Sequence, residues 1–250
     1  MGTDRDWEQW GAEDPYYGVL SRERFRTQSM SSEAREEFFR SGEAHIDQVL
    51  GKLREAFGDA YAPRSALDFG SGVGRLVIPL ARRCERVAGV DVSPSMIAEA
   101  QRNCAAAQVT NAAFFESDDT LSRVPGSFDL VHSCIVLQHI PWRRGRVILR
   151  ALADHVAPGG CLAVQMLTGH DASWLVRGLV RLRYSFPPAN WLRNILRRRP
   201  VFEPAMQLHI YDLAAVERDL EQRGFTCVQE RERWEWFEST MLYAQRRGIR

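Results

Sequence analysis

The sequence predicts an α/β protein with a doubly wound, mostly parallel sheet of seven strands and an antiparallel last strand. Between residues 64 and 167, short apolar segments of strand length alternate with helical patterns. This alternation is typical of parallel strands joined by helices that cover both faces of the sheet. A glycine-rich turn follows the first of these strands. Two strand patterns near the carboxyl end are joined by a short link, which indicates an antiparallel finish.

The elements before and within the alternating region follow from local signals. Residues 1–30 have no clear period and are interpreted as irregular. One or two helices are predicted over residues 33–57, with Ser32 as the N-cap and Gly42 as a break. Five strands are then predicted over residues 65–69, 86–91, 112–116, 128–134 and 161–167, with helices over residues 75–84, 94–107 and 141–156.

The rest of the chain departs from this alternation and then returns to it. Residues 168–208 break the strand–helix rhythm. A helix is predicted over residues 212–223 because Gly224 can end it. The last two strands are predicted over residues 225–230 and 238–245.

Composition limits the class of protein. The 250 residues carry a net charge of +1, and 45% of them are hydrophobic, which suits one sizeable core without a global field for nucleic acid. No apolar run reaches the roughly 18 residues of a membrane span, and the amino terminus lacks the features of a signal peptide. The five cysteines have no metal-like spacing. We therefore expect a cytoplasmic protein, with no metal site and no nucleic-acid partner.

The turn after the first strand has the pattern Asp-x-Gly-x-Gly-x-Gly, with Asp68, Gly70, Ser71, Gly72 and Gly74 at its defining positions. A strand, a glycine-rich turn and a helix form a ligand cradle at the carboxyl edge of a parallel sheet. The third glycine of a dinucleotide-binding fingerprint is missing, because residue 75 is arginine. This argues against a nicotinamide-dependent dehydrogenase.

A carboxylate follows the second strand. Asp91 comes 21 residues after Gly70, in the segment GVDVSP. At that place a carboxylate can accept hydrogens from both hydroxyls of a ribose. Together with the glycine-rich turn, Asp91 predicts a nucleoside-containing ligand.

Five segments resemble the class I, Rossmann-like methyltransferases that use S-adenosylmethionine (SAM): LDFGSGVGRL, VDVSPSMIAEAQRN, FFESDDTL, SFDLVHSCIVLQHIP and APGGCLAV. They span about residues 60–167 in the family's order. The resemblance implies SAM as cofactor, S-adenosylhomocysteine (SAH) as product, and an acidic residue before the glycine turn that holds the SAM amino group. It implies the following cofactor-binding residues: Asp68, Gly70, Ser71, Gly72, Gly74, Asp91, Val92, Ser117, Asp118, Ser133, Cys134 and Gln138.

A hydroxyl acceptor must lose a proton as the methyl group is transferred, so a base is expected at the carboxyl edge of the sheet. His139 follows the fourth strand and is the first candidate, although it could instead pack against the cofactor. His209 is the second candidate, for base or substrate contact. His132 lies inside a strand and is interpreted as structural, and His45 has no supporting context.

The amino-terminal segment WEQWGAEDPYYGVL resembles the opening of some bacterial methyltransferases of surface-glycan assembly. The resemblance implies a sugar or glycan-linked hydroxyl as acceptor. The aromatic residues of this segment need an apolar place to pack. A lid over the cofactor, with Tyr16 or Tyr17 reaching the site, and ordinary packing on the edge of the sheet both stay open.

Residues 172–202 contain seven arginines and no acidic residue. Their apolar residues recur at helical spacing on either side of SFPPAN, which predicts two short amphipathic basic helices. Three interpretations stay open. The helices bind an anionic acceptor, they contact an anionic inner-membrane surface through residues 174–199, or they form a solvated lid.

These inferences divide the chain into four parts: an amino-terminal lid with helices (1–58), a SAM-binding core (59–167), a basic helical insert (168–208), and a last helix with two strands (209–250). The predicted function is methyl transfer from SAM to a small-molecule acceptor, with a hydroxyl favoured. An N- or carboxyl-methyltransferase and a SAM-binding protein without catalysis are the alternatives. The sequence does not fix an oligomeric state.

Overall fold

The computed structural model describes residues 2–171, 174–234 and 236–248. Seven strands form one sheet in the order β3-β2-β1-β4-β5-β7-β6. The strands β1 to β5 are parallel, and β7 runs antiparallel to both of its neighbours. The predicted fold class is therefore confirmed. The strands are β1 (Ser65–Phe69), β2 (Arg86–Asp91), β3 (Ala112–Glu116), β4 (Phe128–Ser133), β5 (Val156–His170), β6 (Phe225–Trp234) and β7 (Phe237–Arg246).

Nine α-helices are present in the described ranges, together with 3-10 turns at Glu23–Phe25 and Leu137–His139. Two of the helices occupy the basic insert, where two were expected. The helices are α1 (Gly2–Glu13), α2 (Pro15–Val19), α3 (Ser32–Phe57), α4 (Val77–Ala81), α5 (Pro94–Ala106), α6 (Trp142–Asp154), α7 (Trp174–Ser185), α8 (Pro187–Leu196) and α9 (Leu213–Gln222).

The amino-terminal region differs from the expectation. Residues 2–19 form α1 and α2, although an irregular segment was expected. Helix α1 has only two large apolar residues, Trp7 and Trp10, and these pack against α5 and the third core cluster. So few apolar positions give a weak helical period in the sequence.

Helix α3 also corrects two expectations. Its N-cap is Ser31, whose hydroxyl accepts a hydrogen bond from the Ala34 amide at 3.2 Å. Gly42 does not break the helix. It is buried where α3 crosses the backbone that follows the glycine-rich turn. A Cβ at this position would clash with the carbonyl oxygen of Arg75.

Two further boundaries differ from those predicted. Helix α4 is only one turn and a half long, since the loop before it continues in turns to residue 76. Strand β5 begins at Val156 and continues to His170, well beyond the expected residues 161–167. Its extra length is paired with β4 at one end and β7 at the other.

The core lies on both faces of the sheet. One cluster packs α6 and α9 against one face, and a second packs α3, α4 and α5 against the other. A third cluster, around Trp10, Tyr16, Tyr17 and Phe38, attaches the amino-terminal helices. None of the helices described combines the length and apolar content needed to cross a membrane.

Two glycines of α3 make a matched stability test. Gly42→Ala is expected to lower the free energy of unfolding by about 1–3 kcal/mol, because its methyl group would push α3 away from Arg75. Gly51→Ala is the control: a Cβ there meets no atom within 4 Å, so alanine should stabilise the helix by about 0.5–1 kcal/mol. Urea unfolding followed by circular dichroism measures both. Equal effects in the two variants would contradict this account of α3 packing.

Candidate active site

A cavity lies at the carboxyl ends of β1, β2 and β4, beneath α1. This is the edge at which parallel α/β sheets bind ligands. Nine residues expected from the sequence line it: Asp68, Gly70, Ser71, Gly72, Asp91, Val92, Ser117, Cys134 and His139.

The glycine-rich turn needs its glycines for backbone geometry. Gly70, Gly72 and Gly74 all have positive φ, at 74°, 50° and 85°. Only glycine adopts this region without strain. The amides of Gly70 and Ser71 both donate to the carbonyl of Val90, at 2.7 and 3.0 Å. Gly74 does not line the cavity; its amide closes the turn on the Ser71 carbonyl.

Asp91 joins two loops of the site. One carboxylate oxygen accepts from the Gly72 amide at 2.8 Å, and the other accepts from the Ser93 amide at 2.9 Å. Burial raises the pKa of Asp91 to about 6, although these amide hydrogen bonds oppose the shift. Each oxygen keeps a lone pair for a ligand hydroxyl. The carboxylate is therefore positioned and partly satisfied before any ligand binds.

Three buried polar atoms beside the glycine turn have no hydrogen-bond partner in the described structure: Asp68 Oδ2, Arg75 Nε and Ser71 Oγ. Buried polar groups are seldom left unpaired, because this costs the full desolvation of the group. The carboxylate and the guanidinium are both less than a tenth exposed and both line the cavity. Asp68 can therefore accept from an ammonium group and Arg75 can donate to a carboxylate in the same cavity. This pair suits the zwitterionic end of an amino acid.

Helix α1 covers this cavity as a lid and is held by polar contacts near its start and at its middle. The Glu8 carboxylate accepts from the hydroxyls of Ser93 and Ser95, at 2.7 and 2.6 Å, at the start of α5. Burial opposes its charge, but these hydrogen bonds dominate and lower the pKa of Glu8. Arg144 of α6 pairs with Asp4 of the lid.

The aromatic residue that reaches the cavity from the lid is Trp7. Its indole meets the ring of His139 edge-on, with centroids 5.0 Å apart. Tyr16 and Tyr17 do not line the cavity. Both are buried in the third core cluster, and the Tyr16 hydroxyl donates to Glu99 at 2.5 Å. The sequence suggested Tyr16 or Tyr17 for this role because the aromatic residues of the segment need an apolar place to pack, but the structure turns Trp7 toward the cavity instead.

Two residues expected at the cofactor are used elsewhere. The Asp118 carboxylate lies outside the cavity and accepts from the amides and hydroxyls of Thr120 and Ser122. These hydrogen bonds hold its pKa below the usual range. The Ser133 hydroxyl donates to the Phe69 carbonyl at 2.9 Å and ties β4 to β1. Of the acidic segment after β3, only Ser117 borders the cavity.

Gln138 and His209 also lie outside the cavity. The His209 amide donates to the Gln138 carbonyl at 2.7 Å, so the two backbones pair beside the site. The Nε2 atom of His209 is buried without a partner in the described structure. Burial lowers the pKa of His209. Neither side chain lines the cavity, although the Gln138 amide lies 3.5 Å from Nε2 of His139, which does.

His139 lines the cavity but is held neutral. Its Nδ1 lies 2.8 Å from the Gln207 carbonyl oxygen, and a carbonyl can only accept, so Nδ1 carries the hydrogen. Burial, with a smaller contribution from His209, lowers its pKa to about 4. The Nε2 lone pair accepts a hydrogen bond from the Gln138 side-chain amide at 3.5 Å. A pKa this low makes His139 a weak base near neutral pH.

A second cavity borders the first at Arg75, Cys134 and Ile135. It lies between α3 and the ends of β5, β6 and β7. Its polar lining residues are Arg22, Ser41, His45, Gln48, Arg75, Gln165, Glu230, Glu232, Ser239 and Tyr243.

A chain of side chains joins the two cavities. His132 Nδ1 lies 2.8 Å from Asp68 Oδ1, and His132 Nε2 lies 3.0 Å from Nε2 of His45. Sequence reasoning assigned no role to His45, because α3 is far from the motifs along the chain. The residues around His45 in the sequence do not indicate that it will contact His132.

Comparison with known proteins agrees with this geometry. Residues 66–160 match the family described as Methyltransferase domain. The cavity at the carboxyl edge of the sheet and this family match indicate the same kind of domain. Residues 66–160 form a class I methyltransferase domain. The resemblance predicted from the five sequence segments is thereby confirmed.

Curated relatives of the methyltransferase domain act on different acceptors. The chain is 38% identical over 107 residues to trans-aconitate 2-methyltransferase of Deinococcus radiodurans, covering 42% of this chain and 38% of the relative. It is 30% identical over 162 residues to ubiquinone biosynthesis O-methyltransferase of Albidiferax ferrireducens, covering 64% of this chain and 60% of the relative. The chain thus spans less than two thirds of the length of these relatives.

Solved structures share the fold over nearly the whole chain. Magnesium protoporphyrin IX methyltransferase from Synechocystis PCC 6803 with bound SAM has a TM-score of 0.61 and 19% identity, covering 98% of both chains. The N-methyltransferase NodS from Bradyrhizobium japonicum with SAH has a TM-score of 0.59 and 17% identity, covering 98% of this chain and 99% of NodS. At these identities the likeness concerns the fold.

The raised pKa of Asp91 gives a prediction for cofactor binding. Ionised Asp91 accepts hydroxyl hydrogens well, so SAH should bind roughly tenfold more weakly at pH 5 than at pH 7. The Asp91→Asn variant should bind more weakly at pH 7 and lose most of this pH dependence. Asp118→Asn is the control and should behave as wild type, since its carboxylate lies outside the cavity. Titration calorimetry measures all three, and a wild-type affinity equal at both pH values would contradict the role of Asp91.

Proposed function

We propose that the protein is a SAM-dependent methyltransferase acting on a small-molecule acceptor. The observation that carries this proposal is the cavity in the methyltransferase domain, where the glycine turn, Asp68 and Asp91 converge. The free cysteines, none of them in a disulfide, support a place for this reaction in the cytoplasm.

The residues of the cavity suit each part of SAM. Asp91 would accept the ribose hydroxyls. The unpaired Oδ2 of Asp68 would accept from the ammonium group, and Arg75 would donate to the carboxylate, so that binding satisfies buried atoms that otherwise have no partner. Ser117 and Met96 border the remaining space for the adenine. When bound, SAM supplies a methyl group on a positively charged sulfur, already activated for transfer.

The protein's task is then to align the acceptor and exclude water. We place the acceptor in the second cavity, because this cavity meets the cofactor cavity at Arg75, Cys134 and Ile135. Its hydroxyl and amide side chains favour a polar acceptor such as a hydroxylated compound. A sugar or glycan-linked hydroxyl is one acceptor of this class.

For a hydroxyl acceptor, His45 is the proposed base. The Asp68 carboxylate accepts from His132 Nδ1, and in this proposal His132 Nε2 accepts the hydrogen bond that His45 Nε2 donates. The Nδ1 atom of His45 then holds a lone pair, and this histidine lines the second cavity. Burial, with His132 and Arg75, lowers the pKa of His45 to about 2, below that of His139, so His45 is proposed as a base only as part of a relay that passes its own Nε2 proton to His132 beside Asp68.

The proton path balances in two transfers. The acceptor hydroxyl gives its proton to His45 Nδ1 as its oxygen forms the bond to the methyl carbon. His45 passes its Nε2 proton to His132, and the resulting imidazolium stays hydrogen-bonded to Asp68. Bound SAM would supply the methyl group, and its sulfur would keep the electron pair of the carbon–sulfur bond. Asp68 stabilises the positive charge, as the buried carboxylate of a catalytic triad does.

His139 takes a supporting role in this proposal. Its neutral ring packs against Trp7 of the lid, and its Nε2 accepts a hydrogen bond from the Gln138 side chain at 3.5 Å. An amine acceptor is the second candidate function, because Glu230 and Glu232 place carboxylates on the rim of the second cavity. An amine needs less help from a base, so the role of His45 separates the two.

Cofactor choice gives the first test. SAM and SAH should bind with a measurable heat in titration calorimetry, and NAD should give none, because the third glycine of a dinucleotide fingerprint is replaced by Arg75. Asp68→Asn should weaken SAM binding by about 1–3 kcal/mol, since it removes the partner of the ammonium group. Heat with NAD and none with SAM would contradict the proposal.

The second test concerns His45. His45→Asn should lower turnover of a hydroxyl acceptor by about 10²–10⁴-fold while SAM affinity changes less than about twofold. Gln48→Ala, one turn further along the same cavity wall, is the control and should lower turnover far less. Ring nitrogen NMR of labelled histidines in the SAH complex should show hydrogen on His132 Nδ1 and on His45 Nε2. Full turnover in His45→Asn would overturn this assignment, and an amine acceptor would then be favoured.

A further inference from the structure

The helical pair α7–α8 exposes an unusual amount of apolar surface. Of the large hydrophobic side chains that are exposed in the described structure, ten of fourteen lie between residues 179 and 202. Contiguous apolar surface of this kind marks an interaction site in a soluble protein. We call this surface the apolar patch; its members are Leu179, Val180, Leu182, Phe186, Trp191, Leu192, Ile195, Leu196, Val201 and Phe202.

Helix α8 buries polar residues and exposes apolar ones, which is the reverse of an ordinary surface helix. Its buried residues are Asn190 and Asn194, which lie one turn apart and donate to the Glu203 carbonyl at 2.9 and 3.0 Å. The residues that follow them on the helix, Trp191, Leu192 and Ile195, point outward. A helix that packs as a simple lid buries its apolar face. In α8 the hydrogen-bonded asparagines hold the apolar face away from the protein.

Positive charge surrounds the apolar patch without a matching negative charge. Residues 172–202 contain seven arginines and no acid. Arg199 is compensated by Glu23 at 2.9 Å. Arg193, Arg197 and Arg198 have no carboxylate partner in the described structure. The side chains of Trp174, Arg177 and Arg181 lie outside the described residues.

We propose that the apolar patch and its arginines bind the surface of an anionic lipid bilayer. Tryptophan, leucine and isoleucine would enter the acyl boundary, and the arginines would contact phosphate headgroups with their long side chains lying along the apolar surface. We favour a lipid surface over a groove on another protein for two reasons. Residues 172–202 carry charge of one sign only, and the exposed apolar residues extend over both α7 and α8. The helices lie on the surface and do not span the bilayer.

The helical pair α7–α8 and the segment that follows it contact the amino-terminal region of the protein. Arg199 reaches Glu23 across the chain, and the Tyr184 hydroxyl donates to the Met206 carbonyl at 3.1 Å. Met206 packs against the third core cluster beside the lid. Contact with a bilayer would therefore place the lid side of the molecule toward the membrane.

Vesicle sedimentation tests the proposal on the full chain. The wild-type protein should sediment with vesicles of equal parts phosphatidylglycerol and phosphatidylcholine, and only weakly with phosphatidylcholine alone. Leu192→Ser combined with Leu196→Ser should reduce the partition by about tenfold or more, because both side chains are more than half exposed and available to the acyl layer. Val147→Ser combined with Val228→Ser, two exposed sites elsewhere, is the control and should bind as wild type.

Charge reversal tests the arginines separately. Arg197→Glu combined with Arg198→Glu should weaken binding to the anionic vesicles by about tenfold or more at low salt. Wild-type binding itself should weaken as salt rises, because exposed charges are screened over about 10 Å at 0.1 M. Arg40→Glu combined with Arg123→Glu changes net charge equally and should have little effect. Circular dichroism checks that all variants are folded.

Two results would overturn the proposal. Wild-type protein that does not sediment with anionic vesicles at low salt has no bilayer site. Wild-type protein that binds no vesicles but forms a dimer in light scattering, lost in the Leu192→Ser/Leu196→Ser variant, would assign the patch to a second copy of the chain. Neither result would bear on SAM binding, which calorimetry measures independently.

Discussion

The two hydrogen bonds from backbone amides to the Asp91 carboxylate organise the site. They join the glycine turn after β1 to the start of α5 after β2, across neighbouring strands. The carboxylate is buried, so its charge is stabilised by these amides rather than by water. The positive end of the α5 helix dipole lies at the same place. The Asp91 carboxylate, which would bind the ribose of a nucleoside, therefore also holds together the two loops that would surround it.

The lid depends on the same corner of the structure. Glu8 accepts from Ser93 and Ser95, the residues that begin α5, and so brings α1 over the cavity. Trp7 is carried with it and packs on His139. The lid is thus held both by polar contacts at Glu8 and Asp4 and by burial of Trp10 in the third core cluster.

The strands and the cofactor loops could be predicted from the sequence because their signals are local. Strand–helix alternation and a glycine turn followed by Asp91 are readable within short windows. Asp118 was assigned to the cofactor on type and position, but its carboxylate is satisfied by its own turn. Its neighbour Ser117 lines the cavity.

The acceptor side could not be predicted in the same way. His45 meets His132 only because Gly42 lets α3 approach the backbone at Arg75. This contact joins residues 87 positions apart in the chain, and no pattern near either residue encodes it. The outward apolar face of α8 was likewise hidden, since its spacing resembles that of any amphipathic helix. Only the burial of Asn190 and Asn194 shows which face is turned inward.

The central claim is that SAM occupies the cavity between Asp68 and Asp91 in the methyltransferase domain. A crystal structure of the protein with SAH tests it most directly. The account predicts that the ribose hydroxyls lie within hydrogen-bond distance of Asp91, that the amino group lies at Asp68 Oδ2, and that the sulfur faces the second cavity. SAH bound with its ribose away from Asp91, or with its sulfur turned from the His45 cavity, would contradict it.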